Sequence, residues 1–250
     1  MNLLKPEKWF TPEPDMVPKT NEVHVWFLDL TKFSLDKDSY NQIFSKQDIL
    51  RFNSILNDHK REKTVLRYFL LLKILSYYTK MKTNEINLYY SEYGKPFLTT
   101  EYEQGEIQFN VSNSFNYLLV GICSNSQIGV DIEKIRKKVN YENLIKRFFS
   151  EREKEFFINL DSNDKEHFFF QWWTIKESVI KTIGKGMRLP INLFEIPFEN
   201  QNNEIDIKID KSSLKLYFYN LNLEADCTAT ICIGKSAKQV KFYRLQPEEI

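Results

Sequence analysis

The chain has 250 residues, 42% of them hydrophobic and 28% charged, with a formal charge of +1. This suits one large soluble domain or two smaller ones, and so neutral a surface carries no field that would draw nucleic acid or a membrane. Three cysteines without metal-type or framework spacing point to a reduced, cytoplasmic protein, and three scattered histidines leave no zinc pattern.

Residues 1–21 contain Pro6, Pro12, Pro14 and Pro18 and read as an arm along the surface, with no apolar core of a signal peptide. Residues 22–30 alternate as a first strand. Helices are predicted over 45–52 and 58–78, the second with Val65, Leu66, Phe69, Leu70, Leu72 and Leu75 on one side. A short strand at 86–90 precedes the turn Ser91-Glu92-Tyr93-Gly94-Lys95-Pro96. Strands at 107–111 and 117–123 flank the polar turn 112–116, and another strand covers 128–132. A polar stretch at 124–127 separates two halves, 22–125 and 126–250. In the second half, a helix at 141–149 is followed by Ser150-Glu151-Arg152-Glu153, a capping box that opens a helix to about residue 160. A loop at 161–165 leads to a helix over 166–183, stopped by Gly184. Strands are predicted near 194–198, 204–209, 214–220 and 227–233. Both halves mix helices with short strands, so the fold class is α/β. No apolar run is long enough to cross a membrane.

Two strings carry chemistry. In Gly129-Val130-Asp131-Ile132-Glu133 the two carboxylates stand at i and i+2, on one face of a strand. The same pattern also describes a solvated strand edge. In Trp173-Thr174-Ile175-Lys176-Glu177-Ser178-Val179-Ile180-Lys181, Trp173, Glu177 and Lys181 share a helix face. Glu177 and Lys181 by themselves are an ordinary helix pair. However, Phe168, Phe169, Phe170, Trp172 and Trp173 make that helix apolar nearly all round, and charges on a buried helix need partners or a ligand. If strand end and helix meet, three carboxylates and a lysine surround one volume suited to a hard divalent cation and a phosphate. Lys60, Lys63 and Arg67 share another helical face, either solvated or able to clamp a phosphate. Phe109-Asn110-Val111-Ser112-Asn113-Ser114 reads as a strand end and turn, whose side chains and amides either bind phosphate or close the turn.

Together these strings resemble the 4′-phosphopantetheinyl transferase superfamily, in its longer, monomeric, surfactin-synthetase-activating type. The family carries Gly-[Ile/Val]-Asp-[Ile/Val]-Glu and then Trp-[Ser/Thr]-x-Lys-Glu-[Ser/Ala]-x-x-Lys, both met here without departure. Tyr93-Gly94-Lys95-Pro96, Arg147-Phe148-Phe149-Ser150 and Gly184-Lys185-Gly186 follow the family's order. The resemblance covers about residues 23–198 and implies two similar α/β subdomains related by a pseudo-twofold axis, with the site between them.

By that resemblance Asp131, Glu133 and Glu177 hold Mg²⁺ (or Mn²⁺), and the chain acts as a monomer. Glu177 takes the proton of a carrier-protein serine that attacks the β-phosphate of coenzyme A, and Lys181 stabilises the departing 3′,5′-ADP. Lys176 also contacts phosphate, Gly94, Lys95 and Pro96 lie beside the adenine, and Ser112, Asn113, Lys63 and Thr64 lie near the 3′-phosphate. Asn113 departs from the family, which has His there. An amide cannot be cationic, so weaker coenzyme A binding is expected. The basic residues typical of the family further upstream are thin here, Lys46 and Arg51 being the nearest. The implied partner is an acidic apo acyl- or peptidyl-carrier protein, steered by the basic segment Lys134, Arg136, Lys137, Lys138, Lys146 and Arg147. Two other readings use the same residues: a metal-dependent phosphoesterase, recognised by phosphate release without a carrier, and a non-catalytic carrier-binding relative, recognised by binding without modification.

Overall fold

The computed structural model describes residues 3–98, 107–136, 141–186, 189–197, 203–209 and 212–249. It is a mixed α/β structure in which two units follow the same order. The first runs from β3 (Glu22–Asp29) through helix α3 (Asp58–Thr79) to the hairpin β6 (Ile107–Ser114) and β7 (Tyr117–Ser124). The second runs from β8 (Ile128–Lys134) through helix α6 (Ser162–Ile183) to β10 (Ser212–Leu221) and β11 (Cys227–Ile233). In each sheet the last strand of the unit pairs with the unit's other two strands, all antiparallel. The change of sheet falls between β7 and β8, in the polar stretch expected to divide the halves.

Every residue of β3 but the last is buried, because each face meets a different core. His24, Trp26 and Leu28 share one face, and the last two pack in a core with Phe69, Leu70, Leu75 and Tyr78 of α3. Val23, Val25 and Phe27 alternate onto the other face and join Val130, Ile132 and Ile231 between the sheets. On the first face the Trp26 indole donates to the Tyr78 hydroxyl at 2.9 Å. That hydroxyl donates to His24 Nδ1 at 2.8 Å, since His24 Nε2 donates to Glu22 at 2.5 Å. Burial holds His24 below its ordinary pKa, so the neutral ring fits this chain of donors.

The termini depart from expectation. The arm contributes two edge strands. β1 (Leu3–Leu4) pairs with β10, and β2 (Trp9–Phe10) pairs with β12 (Gln239–Tyr243). β12 leaves the C-terminal half and pairs parallel with β3, so residues 126–250 do not form a self-contained half. The strand expected at 86–90 is only β4 (Tyr89–Tyr90), paired with β5 (Pro96–Phe97). After a short α1 (Tyr40–Ile43), helix α2 (Lys46–Asn53) forms as expected, as do helix α4 (Glu142–Phe148) and helix α5 (Glu151–Ile158), α5 with its capping box, while α6 starts at Ser162 and absorbs most of the expected loop. No strand forms over 194–197. Phe194 and Ile196 are buried there, but the Ile196 amide donates to Glu153 instead of to a neighbouring strand. β9 (Glu204–Ile209) completes the second sheet. Among the described residues no helix is long and apolar enough to cross a membrane.

Candidate active site

The two sheets present edge strands β6 and β8 to one another, and a polar ladder joins them. Asn110, Ser112 and Ser114 alternate onto one face of β6. The Asn110 side-chain oxygen Oδ1 accepts from the Val130 amide at 2.9 Å. Ser112 Oγ donates to Asp131 Oδ1 at 2.9 Å, and Ser114 Oγ to Glu133 Oε2 at 2.7 Å. The alternation of β6 therefore serves to hold the carboxylates of β8.

On β8, Gly129, Asp131 and Glu133 face α6, while Val130 and Ile132 enter the core. Gly129 permits the close approach of the helix. A Cβ there would lie 2.2 Å from the Ser178 carbonyl oxygen and 2.4 Å from the Thr182 nitrogen, both helix backbone. Thr174, Ser178 and Thr182 form the face that meets the sheet. The Thr174 hydroxyl bonds Thr230 at 3.0 Å, and Thr182 donates to the Cys232 carbonyl at 3.0 Å. One position earlier on each turn, Trp173, Glu177 and Lys181 come to the rim.

Lys181 Nζ donates to Asp131 Oδ1 at 2.7 Å and to Ser112 Oγ at 2.9 Å. The other Asp131 oxygen, Oδ2, is buried with no hydrogen-bond partner. Burial raises the pKa of Asp131, against the opposing pull of Lys181 and Ser112. Glu133 is also raised, first by burial and then by Asp131, and Glu177 is pushed up to about 7 by burial with Asp131 and Glu133 adding to it. Lys181 is bonded within the group and Arg136 acts on Glu133 as well, yet burial still holds all three carboxylates above their ordinary pKa.

Among the described residues no three acidic, histidine or cysteine side chains are drawn into a closed cage. Asp131 is held by Lys181 and Ser112, and Glu133 by Ser114. The chemistry of the donor set nonetheless fits a hard cation: all oxygen, raised pKa values, and one buried carboxylate oxygen without a partner.

A cavity of about 240 Å³ opens beside Glu177 and Lys181, between Tyr93, Gly94, Lys95 and Gly184. It shares Gly94, Pro96 and Val111 with a second cavity of about 570 Å³. Ser112, Asn113, Thr64 and Arg67 line the second, and Tyr68, Tyr90 and Arg51 form an aromatic and cationic wall. The Arg51 guanidinium lies 4.5 Å from the Tyr68 ring centroid and donates to the Tyr90 hydroxyl at 2.7 Å.

A family model described as the 4′-phosphopantetheinyl transferase superfamily matches residues 127–232, the stretch that holds β8 and α6. The chain is 31% identical over 180 residues to the 4′-phosphopantetheinyl transferase HetI of Nostoc sp., covering 72% of this chain and 76% of that one. It is 31% identical over 207 residues to the 4′-phosphopantetheinyl transferase gsp of Aneurinibacillus migulanus, covering 82% and 83%. It is 28% identical over 200 residues to the 4′-phosphopantetheinyl transferase Sfp of Bacillus subtilis, covering 75% and 86%. The chain belongs to the 4′-phosphopantetheinyl transferase superfamily.

Within this transferase three of the expected ligand residues bond to the protein itself. Lys176 is fully buried and pairs with Glu153 at 2.9 Å. It also donates to the carbonyls of Ile191 and Phe194 at 3.2 and 3.0 Å. Its charge is spent in the core of the second half, behind the helix face that bears Glu177. Lys95 lines the smaller cavity, but its ammonium donates to the carbonyls of Ile128 and Lys181 at 2.8 and 2.7 Å. Burial pushes Lys95 down to about 8, and it ties the start of β8 to the end of α6. Lys63 Nζ donates to Asn116 Oδ1 at 2.9 Å, whereas Arg67, one turn further along α3, lines the larger cavity.

Sequence reasoning weighed Arg67, Arg51 and Ser114 as part of a basic face, a thin upstream cluster and a turn, but it did not give Ser114 its hold on Glu133 or Glu153 its pairing with Lys176. Arg67 had a visible signal in its i+4 spacing from Lys63, and Ser114 in its i+2 spacing from Ser112. Glu153 had none beyond its capping position. Lys137 and Lys138, expected to steer a partner, lie outside the described residues.

Proposed function

We propose that this transferase moves the 4′-phosphopantetheine group of coenzyme A to a serine of an apo acyl- or peptidyl-carrier protein and releases 3′,5′-ADP, with Mg²⁺ (or Mn²⁺) required. The observation that carries the reading is the meeting of Asp131 and Glu133 with Glu177 and Lys181, the last two lining a cavity that shares Gly94, Pro96 and Val111 with a larger one. The Glu177 carboxyl, near 7, is poised to accept a proton at physiological pH. The serine oxygen bonds to the β-phosphorus of coenzyme A, its proton passes to Glu177, and the bond from that phosphorus to the bridging oxygen breaks. The electron pair leaves on 3′,5′-ADP, where the Lys181 ammonium offsets the new charge. Asp131, Glu133 and Glu177 would hold the cation, which when bound supplies neutralisation of the pyrophosphate. The site is complete within one chain, which supports a monomer. Three free cysteines, two of them buried, support a cytoplasmic protein.

The phosphorylated end of coenzyme A is assigned to the larger cavity. Arg67 Nε is buried there without a partner, and burial lowers the pKa of the group, so an anion would recover what desolvation costs. Arg67 thus supplies the cation that Asn113 cannot. Arg67→Gln is expected to raise the coenzyme A KM about tenfold with kcat little changed, measured by steady-state transfer at saturating carrier. An unchanged KM would remove Arg67 from the site.

The direct test is the intact mass of an apo carrier incubated with the chain, Mg²⁺ and coenzyme A. A gain of one phosphopantetheine mass, lost on adding EDTA, supports the reading. No gain with several carriers, while carrier or coenzyme A still binds, favours the non-catalytic relative.

A further inference from the structure

The turn between β6 and β7 carries a residue that phosphoryl transfer does not use. Phe115 stands at φ +53°, in the left-handed region where a bulky side chain is strained. Such turn positions ordinarily take glycine or asparagine. Burial does not repay the strain, because Phe115 remains 50% exposed. An aromatic ring held in a costly conformation and turned to solvent points to a use outside the chain.

Its surroundings show what that use is. The preceding residue, Ser114, holds Glu133, so the turn lies at the rim of the carboxylate group. Lys134 Nζ and the Arg136 guanidinium lie 5.6 and 5.3 Å from the Phe115 ring centroid. Arg67 donates to the Phe115 carbonyl at 2.9 Å, and Lys63 to Asn116. Two cations therefore flank the exposed ring, and two more bond the backbone carbonyl and the Asn116 side chain of its turn. The acids beside them are Glu133, which Ser114 holds, and Asp226, 3.2 Å from Lys134 and also bonded by the Tyr117 hydroxyl. A protein partner with an apolar patch fringed by carboxylates fits this surface.

We infer that Phe115, ringed by Lys134 and Arg136, is the docking anchor for the acidic carrier domain. This rests on the transferase reading above. The ring supplies an apolar contact that water cannot, and the cations orient the partner and speed its arrival.

The test is carrier kinetics at saturating coenzyme A. Phe115→Gly removes the ring and also relieves the strained φ, so the fold is kept. The carrier KM should rise about tenfold, while kcat and the coenzyme A KM stay at wild-type values. Phe115→Leu should keep the wild-type carrier KM. Arg136→Glu should raise that KM and flatten its dependence on salt. An unchanged carrier KM in Phe115→Gly, or a rise in the coenzyme A KM instead, overturns the docking role and leaves the transferase reading standing. A wild-type chain that neither modifies nor binds any apo carrier overturns both.

Discussion

Glu177→Gln should lower the transfer rate by about 10²–10⁴-fold, the usual contribution of a positioned general base, while making the metal-free protein more stable above neutral pH. Both effects come from one fact: the Glu177 carboxyl is pushed up to about 7 by burial and by its acidic neighbours. The folded state therefore keeps a proton that the unfolded chain gives up near pH 4.5. Stability from neutral Glu177 is fully present below about pH 4.5 and is lost as pH rises through about 7. Gln has nearly the same shape and does not titrate, so the variant escapes that loss. Allowing for partial exposure, the gain at pH 8 is about 1–3 kcal/mol, or roughly 2–4 °C in Tm per kcal/mol. At pH 4.5 the two proteins should melt together. Thermal melts at both pH values, with EDTA present, read the stability, and intact-carrier mass spectrometry reads the rate. A variant that still transfers at the wild-type rate takes Glu177 out of the chemistry. One that melts lower at pH 8 contradicts the crowding of negative charge.

Lys176→Met should cost about 3–5 kcal/mol of stability and leave the coenzyme A KM unchanged. Lys176 and Glu153 are both fully buried, and each is the other's counter-ion. Glu153 also accepts from the Ser150 and Ile196 amides, both at 2.8 Å. Removing the ammonium strands a carboxylate in the core between α5, α6 and the 191–196 segment. Adding Glu153→Gln should restore most of the loss, because an amide oxygen still satisfies a backbone donor and carries no charge. Urea denaturation of the single and double variants measures this. A single variant as stable as wild type but with a raised coenzyme A KM would return Lys176 to the ligand site.

That pair shows where sequence reading stops. Lys176 and Lys181 stand in the same motif, and both looked able to meet phosphate. Helical period places Glu177 and Lys181 together and puts Lys176 around the turn, but it does not say what lies on that other side. Glu153 is in another helix, so no local spacing announces the pair. Lys63 and Arg67 differ in the same way: both lie on the basic face of α3, and only the position of the β6–β7 turn decides that Lys63 meets Asn116 while Arg67 reaches the cavity.

Short-range physics was legible along the chain. The alternation of β8 separated Asp131 and Glu133 from the apolar core residues, the Ser150–Glu153 capping box opened α5, and Gly184, at φ +77°, ended α6. These depend on side chains within one or two turns of each other, and so they are written in local order. The pairing of β12 with β3, the two edge strands of the arm, and the approach of α6 to Gly129 are set by which distant surfaces bury the most apolar area and satisfy the most backbone groups. That balance is struck across the whole chain, so only the folded structure shows which charges meet a ligand and which meet each other.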